Sequence, residues 1–177
     1  FSLDSRGDAW VAKNLSGGQA ELIQVRTRGG YPLDKREWRV YPISATGYIR
    51  EAYICEGASG EIWFADSIGV SPLRALDPLT GKWKIVDIPD ARAGHFSLIR
   101  DRHHTVWAGG VGSLLAIRNS GCDCYSAASL GLPSVPITVF EAGNGWWCLI
   151  LRGCHVYRID PDHAQWTKSL HLHFQCE

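Results

Sequence analysis

The chain of 177 residues has no methionine, no net charge and no long apolar run. Its 18 basic and 18 acidic side chains balance, and they form no basic cluster of the kind that a nucleic-acid-binding face needs. The apolar runs are shorter than the ~20 residues that a membrane-spanning helix requires. We therefore expect no nucleic-acid partner and no membrane insertion.

The lack of methionine is unusual for a translated chain of this length, and the first residue is Phe1. We expect a processed product or an excerpt from a longer protein. Glycine and tryptophan, by contrast, are abundant, with 19 Gly, 8 Trp and 11% aromatic residues. This composition favours an all-β protein with many tight turns.

Aromatic residues recur in two interleaved series. The first series is Trp10, Trp63, Trp107 and Trp146, and the second is Trp38, Trp83, Tyr125 and Trp166. In the successive units the two aromatics are 28, 20, 18 and 20 residues apart, because an insertion around residues 28–32 lengthens the first unit. A glycine lies three residues before the first aromatic in three units, and His104 takes its position in the third. Short apolar segments between turn residues predict four strands in each unit, and no segment has a sustained helical period.

Repeats of this kind predict a β-propeller, an all-β fold built of four-stranded antiparallel blades. We expect a single domain over residues 1–177, with blades at about 1–45, 46–92, 93–134 and 135–177. The four blades either close as a small ring or belong to a larger propeller of about six to eight blades. The residues expected to pack between blades are Trp10, Trp63, Trp107 and Trp146.

The second unit resembles a known superfamily of blades. Residues 59–66 (SGEIWFAD) and 76–83 (LDPLTGKW) are similar to sequence motifs of two-component regulator propellers, virginiamycin B lyase-like proteins and NHL or SMP-30-type proteins. Residues 159–161 repeat part of the second motif in the fourth unit. The resemblance implies a propeller fold but leaves function open, because propellers host both binding proteins and enzymes.

A non-catalytic binding or sensing module is the first interpretation of function, because no convergent catalytic set is evident. Loops on one face would recognise a protein, peptide or glycan without a cofactor, through exposed side chains that act as anchors. The candidate anchors are Trp147, Tyr31, Tyr48 and Arg50. Self-association and contacts with the remaining blades of a longer chain are further expectations.

A metal-assisted lyase or hydrolase is the alternative that the resemblance implies, because virginiamycin lyase-like proteins use histidine and acidic residues with a divalent cation at the channel mouth. The corresponding metal candidates here are His103, His104, Asp101 and Glu141. His171 and His173 alternate along a strand and are either ligands or ordinary surface residues. A lectin that stacks sugars on the blade tryptophans is a third interpretation.

Acidic residues recur in the innermost turn of successive units, where they either bind a cation or simply suit the turn. They are Asp4, Asp8, Glu61, Asp101 and Glu141.

Six cysteines leave the redox state open, since an even number permits disulfides, whereas buried thiols and a metal site are the alternatives. The candidates for disulfides are Cys122, Cys124, Cys148 and Cys154. The C-x-C pair at 122–124 is expected on the outer turn of the third unit. Disulfides would favour an extracellular or periplasmic protein.

Overall fold

A computed structural model describes residues 1–29, 31–43, 49, 51–66, 73–86, 92–130, 137–142, 145–150, 155–160 and 165–171. Side chains are described for all of these except residues 92–96, 130 and those from 141 onward. The chain divides into two compact units, Phe1–Pro89 and Asp90–Glu177. Each unit contains two four-stranded antiparallel sheets, which we call blades 1 and 2 and blades 3 and 4.

Blade 1 has the strand order β1-β2-β3-β6, and a small separate hairpin, β4-β5, lies in the connection before its outermost strand. The bounds are β1 (Ser2–Leu3), β2 (Ala9–Asn14), β3 (Ala20–Val25), β4 (Thr27–Arg28), β5 (Tyr31–Pro32) and β6 (Arg39–Ile43). The hairpin is the insertion that lengthens the first of the four sequence repeats. It pairs Arg28 with Tyr31.

Blade 2 has no insertion, and its four strands follow the chain order. They are β7 (Ala52–Glu56), β8 (Ile62–Asp66), β9 (Leu73–Asp77) and β10 (Lys82–Val86). The turn between β7 and β8 has five residues, as does the turn between β1 and β2, because Glu56 pairs with Ile62 and Leu3 pairs with Ala9. The two blades therefore share one inner-turn geometry.

Blades 3 and 4 repeat the plan. Blade 3 comprises β11 (Arg92–Arg100), β12 (Val106–Val111), β13 (Ser113–Arg118) and β14 (Gly121–Ser126). Blade 4 comprises β15 (Ile137–Ala142), β16 (Gly145–Ile150), β17 (His155–Asp160) and β18 (Gln165–His171). The predicted all-β architecture of four-stranded antiparallel blades is confirmed. Within the described residues, helix is limited to three short 3-10 turns, and no helix is long and apolar enough to cross a membrane.

The core of the first unit lies between blades 1 and 2. Trp10 is fully buried there and stacks on Tyr41, with ring centroids 5.8 Å apart. Ile62, Phe64 and Leu76 of blade 2 belong to the same apolar cluster. Side chains alternate along a strand, so Trp63, which is 5% exposed, lies on the opposite surface of blade 2.

The outer aromatic of blade 1 differs from the sequence interpretation. Trp38 precedes β6, and its indole nitrogen donates to the carbonyl oxygen of Leu33, directly after the β4-β5 hairpin. Tyr41 instead takes the stacking position on Trp10, just as Tyr125 stacks on Trp107 in blade 3. The insertion moves Trp38 away from the repeat register, and spacing alone could not reveal this.

In the second unit, Trp107 is 1% exposed and its ring centroid is 6.5 Å from that of Tyr125. Blade 3 meets blade 4 at Ser97, whose hydroxyl accepts from the amide of Val139 at 3.0 Å and donates to the carbonyl of Ile137 at 3.4 Å. Gly109 pairs with Ser97 in the sheet. A Cβ at Gly109 would overlap the Ile137 carbonyl oxygen. Close approach of the two blades thus depends on a glycine.

Candidate functional site

The inner turns of the blades are built around carboxylates. In blade 1, Asp4 Oδ1 accepts from the amides of Arg6 and Asp8, both at 3.0 Å. Its Oδ2 accepts from the indole nitrogen of Trp10 at 3.0 Å and from the Arg6 guanidinium at 3.1 Å. Burial raises the pKa of Asp4, but the hydrogen bonds from Trp10, Asp8 and Arg6 outweigh it, so the net pKa is below the usual value. Asp4 therefore joins the turn to the blade core as an anion.

Blade 3 repeats this arrangement. Asp101 Oδ1 accepts from the amides of His103 and Thr105 at 2.8 Å, and Oδ2 accepts from the Trp107 indole at 2.9 Å. His104 occupies the position of Gly7 and has the same left-handed backbone, with φ of 63°. A non-glycine residue in this region is strained.

Blade 2 reaches the same result from another position. Gly57 replaces the first aspartate, and Glu61 Oε1 accepts from the Trp63 indole at 2.9 Å while Oε2 accepts from the Ser59 amide at 3.0 Å. A Cβ at Gly57 would overlap the Glu61 carboxylate and lie 2.7 Å from the Trp63 indole nitrogen. Glu61 therefore fills the space that an aspartate at 57 would use.

The described inner-turn acids thus have structural partners. Asp8 also bonds within its blade, accepting from Gln24 Nε2 and from the Thr27 amide, both at 2.8 Å. Among the residues that the structure describes, no three His, Cys, Asp or Glu side chains come together as a metal site. The side chain of Glu141 lies outside the described part, so a metal site with Asp101, His103 and His104 stays a prediction.

A cleft of about 490 Å³ lies at the inner-turn end of the first unit, between blades 1 and 2. It is lined by segments 5–6, 59–61 and 77–79 together with Glu56. The turns β1–β2, β7–β8 and β9–β10 all end at this side because neighbouring strands are antiparallel. Residues from three turns of two blades therefore form the cleft.

Carboxylates dominate the polar lining of the cleft. Glu56 holds the two blades together there, because its oxygens accept from the Ser5 amide at 2.7 Å and from the Ser5 hydroxyl at 2.9 Å. Asp77 accepts from the Thr80 hydroxyl at 2.7 Å and from the Leu79 amide at 2.9 Å. These hydrogen bonds lower the pKa of Asp77, which is therefore ionised at neutral pH.

Among the described residues, one cation and two apolar side chains also line the cleft, those of Arg6, Pro78 and Leu79. The guanidinium of Arg6 is half-exposed but pairs with Asp4. Leu79 is 84% exposed on the tight turn between β9 and β10. The hydrogen bonds of Asp77 hold this turn in place, so Leu79 projects from an ordered loop.

A buried polar pair also belongs to blade 2. Arg74 on β9 is 8% exposed and Asp66 on β8 is 4% exposed. Burial lowers the pKa of Arg74, and the charge of Asp66 opposes that effect. The cross-strand register places Arg74 beside Phe64, on the surface that faces blade 1.

The structure describes one of the four proposed anchor residues with its side chain. Tyr31 on β5 is 79% exposed, in the insertion of blade 1. Trp147 lies on β16, opposite Phe140, but its side chain is outside the described part. Tyr48 and Arg50 also lie outside the described residues.

Among the described side chains, two histidine candidates are exposed and three tryptophan candidates are buried. His103 and His104 are exposed, and His103 Nε2 accepts from Arg102 Nε at 3.2 Å. Trp146 lies on β16 with its side chain undescribed, whereas Trp10, Trp63 and Trp107 are buried. His171 ends β18, and His173 lies outside the described residues.

The cysteine pair was placed wrongly by the sequence. Cys122 and Cys124 lie on strand β14 and not on a turn, because the turn before it closes earlier, between Arg118 and Gly121. Cys148 is on β16 with an undescribed side chain, and Cys154 is outside the described residues. A disulfide that involves these two residues stays a prediction.

Sequence reasoning missed the cleft residues Glu56 and Leu79. Leu79 had a detectable signal, since an apolar residue inside the turn sequence D-P-L-T-G has no core to enter. Glu56 had none, because its role depends on how blade 1 packs against blade 2.

Solved structures of other proteins resemble the fold of this chain. Virginiamycin B lyase from Staphylococcus aureus superposes with a TM-score of 0.68 at 15% identity, over 94% of this chain and 53% of its own. A streptogramin B lyase superposes with a TM-score of 0.63 at 19% identity, over 95% of this chain and 52% of its own. The extracellular domain of a hybrid two-component system from B. thetaiotaomicron gives 0.63 at 13% identity, over 96% and 25% respectively. The sheets are β-propeller blades.

The likeness is one of fold, because all three identities are low. The chain spans about half the length of the two lyases and a quarter of the two-component domain. No protein-family model matches the chain, and no curated protein matches it.

Proposed function

We propose that this chain is a binding module that uses the cleft of blades 1 and 2 to hold a protein or peptide segment carrying positive charge. The cleft itself is the observation that supports this function. Three turns from two blades line it, and its volume of about 490 Å³ suits a few side chains. Loops on a rigid β scaffold are a common location for recognition.

The negative charge of the cleft lining supports a cationic ligand. Among the described residues, Glu56, Glu61 and Asp77 line the cleft, and the one guanidinium that lines it, that of Arg6, pairs with Asp4. Each of these three carboxylates is held by hydrogen bonds from its own neighbourhood, so the negative charges have defined positions. Fixed charges of one sign steer a partner of the opposite sign and set its register.

Leu79 supports a peptide rather than an isolated ion. It is an exposed apolar side chain on an ordered turn, next to Pro78, at the edge of the acidic lining. An apolar anchor beside a charged rim is the usual arrangement of a protein-recognition site. The ligand is therefore expected to carry a Lys or Arg close to an apolar residue.

The experiment is a binding screen of the purified chain on an array of synthetic peptides of varied charge, with a glycan array in parallel. We expect enrichment of peptides with Lys or Arg, and weaker binding when salt rises from about 0.05 M to about 0.5 M. Leu79→Ser should weaken the selected peptides about tenfold. Ile85→Ser is the matched control, since Ile85 is also exposed, on β10, away from the cleft.

Three results would contradict the proposal. These are selection of neutral or acidic peptides, binding to glycans alone, and equal effects of the Leu79 and Ile85 variants. The glycan result would favour a lectin, although Trp10, Trp63 and Trp107 are buried and leave no ring face for a sugar.

A metal-assisted lyase is the second candidate, because two of the similar structures are named lyases. Its metal site would use Asp101, His103, His104 and Glu141. The test is metal analysis of the dialysed protein, with His103→Ala compared against wild type. A stoichiometric divalent ion that the variant loses would favour the lyase over the binding module.

A further inference from the structure

The outer edge of blade 3 carries two cysteines on one face of a strand. Cys122 and Cys124 are separated by one residue on β14, so their side chains point to the same side. Both are exposed thiols. Their cross-strand partners, Ile117 and Leu115, are buried and apolar. The pair thus forms a dithiol at the rim of an apolar surface.

The two cysteines lie too far apart along the strand to form a disulfide with each other. Residues two apart on a strand have Cα atoms about 6.8 Å apart and Cβ atoms at a similar distance. A disulfide needs Cβ atoms within about 3.5–4.5 Å. A bridging ion is less demanding, because two metal–sulfur bonds span a longer gap and the side chains can lean toward each other by rotation about χ1.

The surroundings favour a soft ion over a hard one. Asp123, the residue between the cysteines, points to the opposite face and pairs with Arg118. Its carboxylate is therefore not a ligand on the cysteine face. Soft thiolate ligands suit Cu(I), Zn²⁺ and iron–sulfur clusters. Stable zinc sites and the clusters use four protein ligands, whereas Cu(I) is stable with two thiolates, so a pair of cysteines fits Cu(I) best.

We propose that Cys122 and Cys124 bind one Cu(I) ion as a two-coordinate bis-thiolate site on β14. Binding replaces the two thiol protons with two Cu–S bonds and releases both protons to solvent, with no change in the oxidation state of sulfur or copper. Because binding releases both thiol protons, affinity should increase with pH.

The test is an anaerobic titration of the reduced protein with Cu(I) against a colorimetric Cu(I) chelator, at pH 6 and pH 8. We expect about one equivalent per chain, tighter at pH 8. Cys122→Ser and Cys124→Ser should each lose at least about tenfold in affinity. Cys176→Ser, which removes a thiol outside the pair, should match wild type. Serine at exposed positions of β14 should leave the fold intact, which circular dichroism checks.

X-ray absorption of the Cu(I) protein provides a second readout, in which two sulfur neighbours are expected. The proposal is overturned if either single variant keeps wild-type affinity, if three or four ligands surround the copper, or if the protein binds Zn²⁺ in preference to Cu(I) at this pair.

Discussion

Asp4, Glu61 and Asp101 show how a single carboxylate can organise an inner turn. Each accepts from at least one backbone amide of its turn and from the indole of its blade's buried tryptophan. An indole N–H left without an acceptor in the core would cost about 1–3 kcal/mol. The acids that sequence reasoning could assign either to a cation or to the turn therefore have a structural role in these three blades.

Asp4→Asn tests this role through its pH dependence. The pKa of Asp4 is lowered in the folded state, because hydrogen bonds to the ionised form outweigh burial. Its contribution to stability is therefore present above the ordinary value of 3.8 and is lost as pH falls through the lower folded pKa. We expect the variant to lose about 1–3 kcal/mol of unfolding free energy at pH 7 and less at pH 3. Urea denaturation at pH 7, 5 and 3 measures this.

The control for that series is Asp34→Asn, which removes an exposed carboxylate that pairs with Arg36. Its effect should stay below about 1 kcal/mol at every pH. A deficit of Asp4→Asn that does not shrink at low pH would contradict the assigned role.

His104→Gly should raise the free energy of unfolding by about 1 kcal/mol. His104 has φ of 63°, where Gly7 and Gly60 have 82° in the equivalent turns. Glycine adopts this region without the steric cost that a Cβ brings. Thermal and urea unfolding measure the gain, and His103→Gly, in a residue without positive φ, is the control. A destabilised His104→Gly variant would mean that the imidazole has an energetically important contact.

At the scale of the elements, regular features of the sequence predicted regular features of the fold. Alternating apolar segments and turn residues gave the four-stranded blades, because strand period and turn chemistry are local properties. Register was less accessible, since the insertion before β6 hides that Tyr41, not Trp38, is the stacking aromatic. The cleft could not be predicted, because it depends on how Glu56 and Ser5 meet across two blades.

The turn of blade 2 offers a double-mutant cycle. Gly57→Asp alone should destabilise by about 1–3 kcal/mol, because the new side chain overlaps the Glu61 carboxylate. Glu61→Ala alone should cost about 1–3 kcal/mol, because the Trp63 indole loses its acceptor. Together they recreate the aspartate arrangement of blades 1 and 3, so the double variant should approach wild type.

Urea denaturation followed by tryptophan fluorescence measures all four forms. A coupling energy above about 1 kcal/mol is expected. Additive losses would show that the two carboxylate positions are not interchangeable and that the turn of blade 2 differs from its neighbours in more than the origin of its acid.

For the whole molecule, hydrogen bonds between blades accompany the apolar contacts inside each unit. In the first unit, the Tyr41 hydroxyl donates to the Pro78 carbonyl at 3.0 Å and the Trp83 indole donates to the Pro42 carbonyl at 2.9 Å. Asn14 both donates to and accepts from the backbone of Ile49. Such directional bonds select one register of blade on blade, which area burial alone would not do.

Gly109→Ala tests this blade-on-blade register in the second unit. The added methyl would overlap the Ile137 carbonyl oxygen and lie 2.9 Å from Ser97 Oγ, so the backbone of blade 4 must move away from blade 3. We expect the free energy of unfolding to fall by about 1–3 kcal/mol. Hydrogen exchange should show faster exchange in both β12 and β15, because they lie on either side of the altered contact. Faster exchange confined to β12 would mean that the strain is absorbed within blade 3, and that contact with Ile137 does not hold the two blades in register.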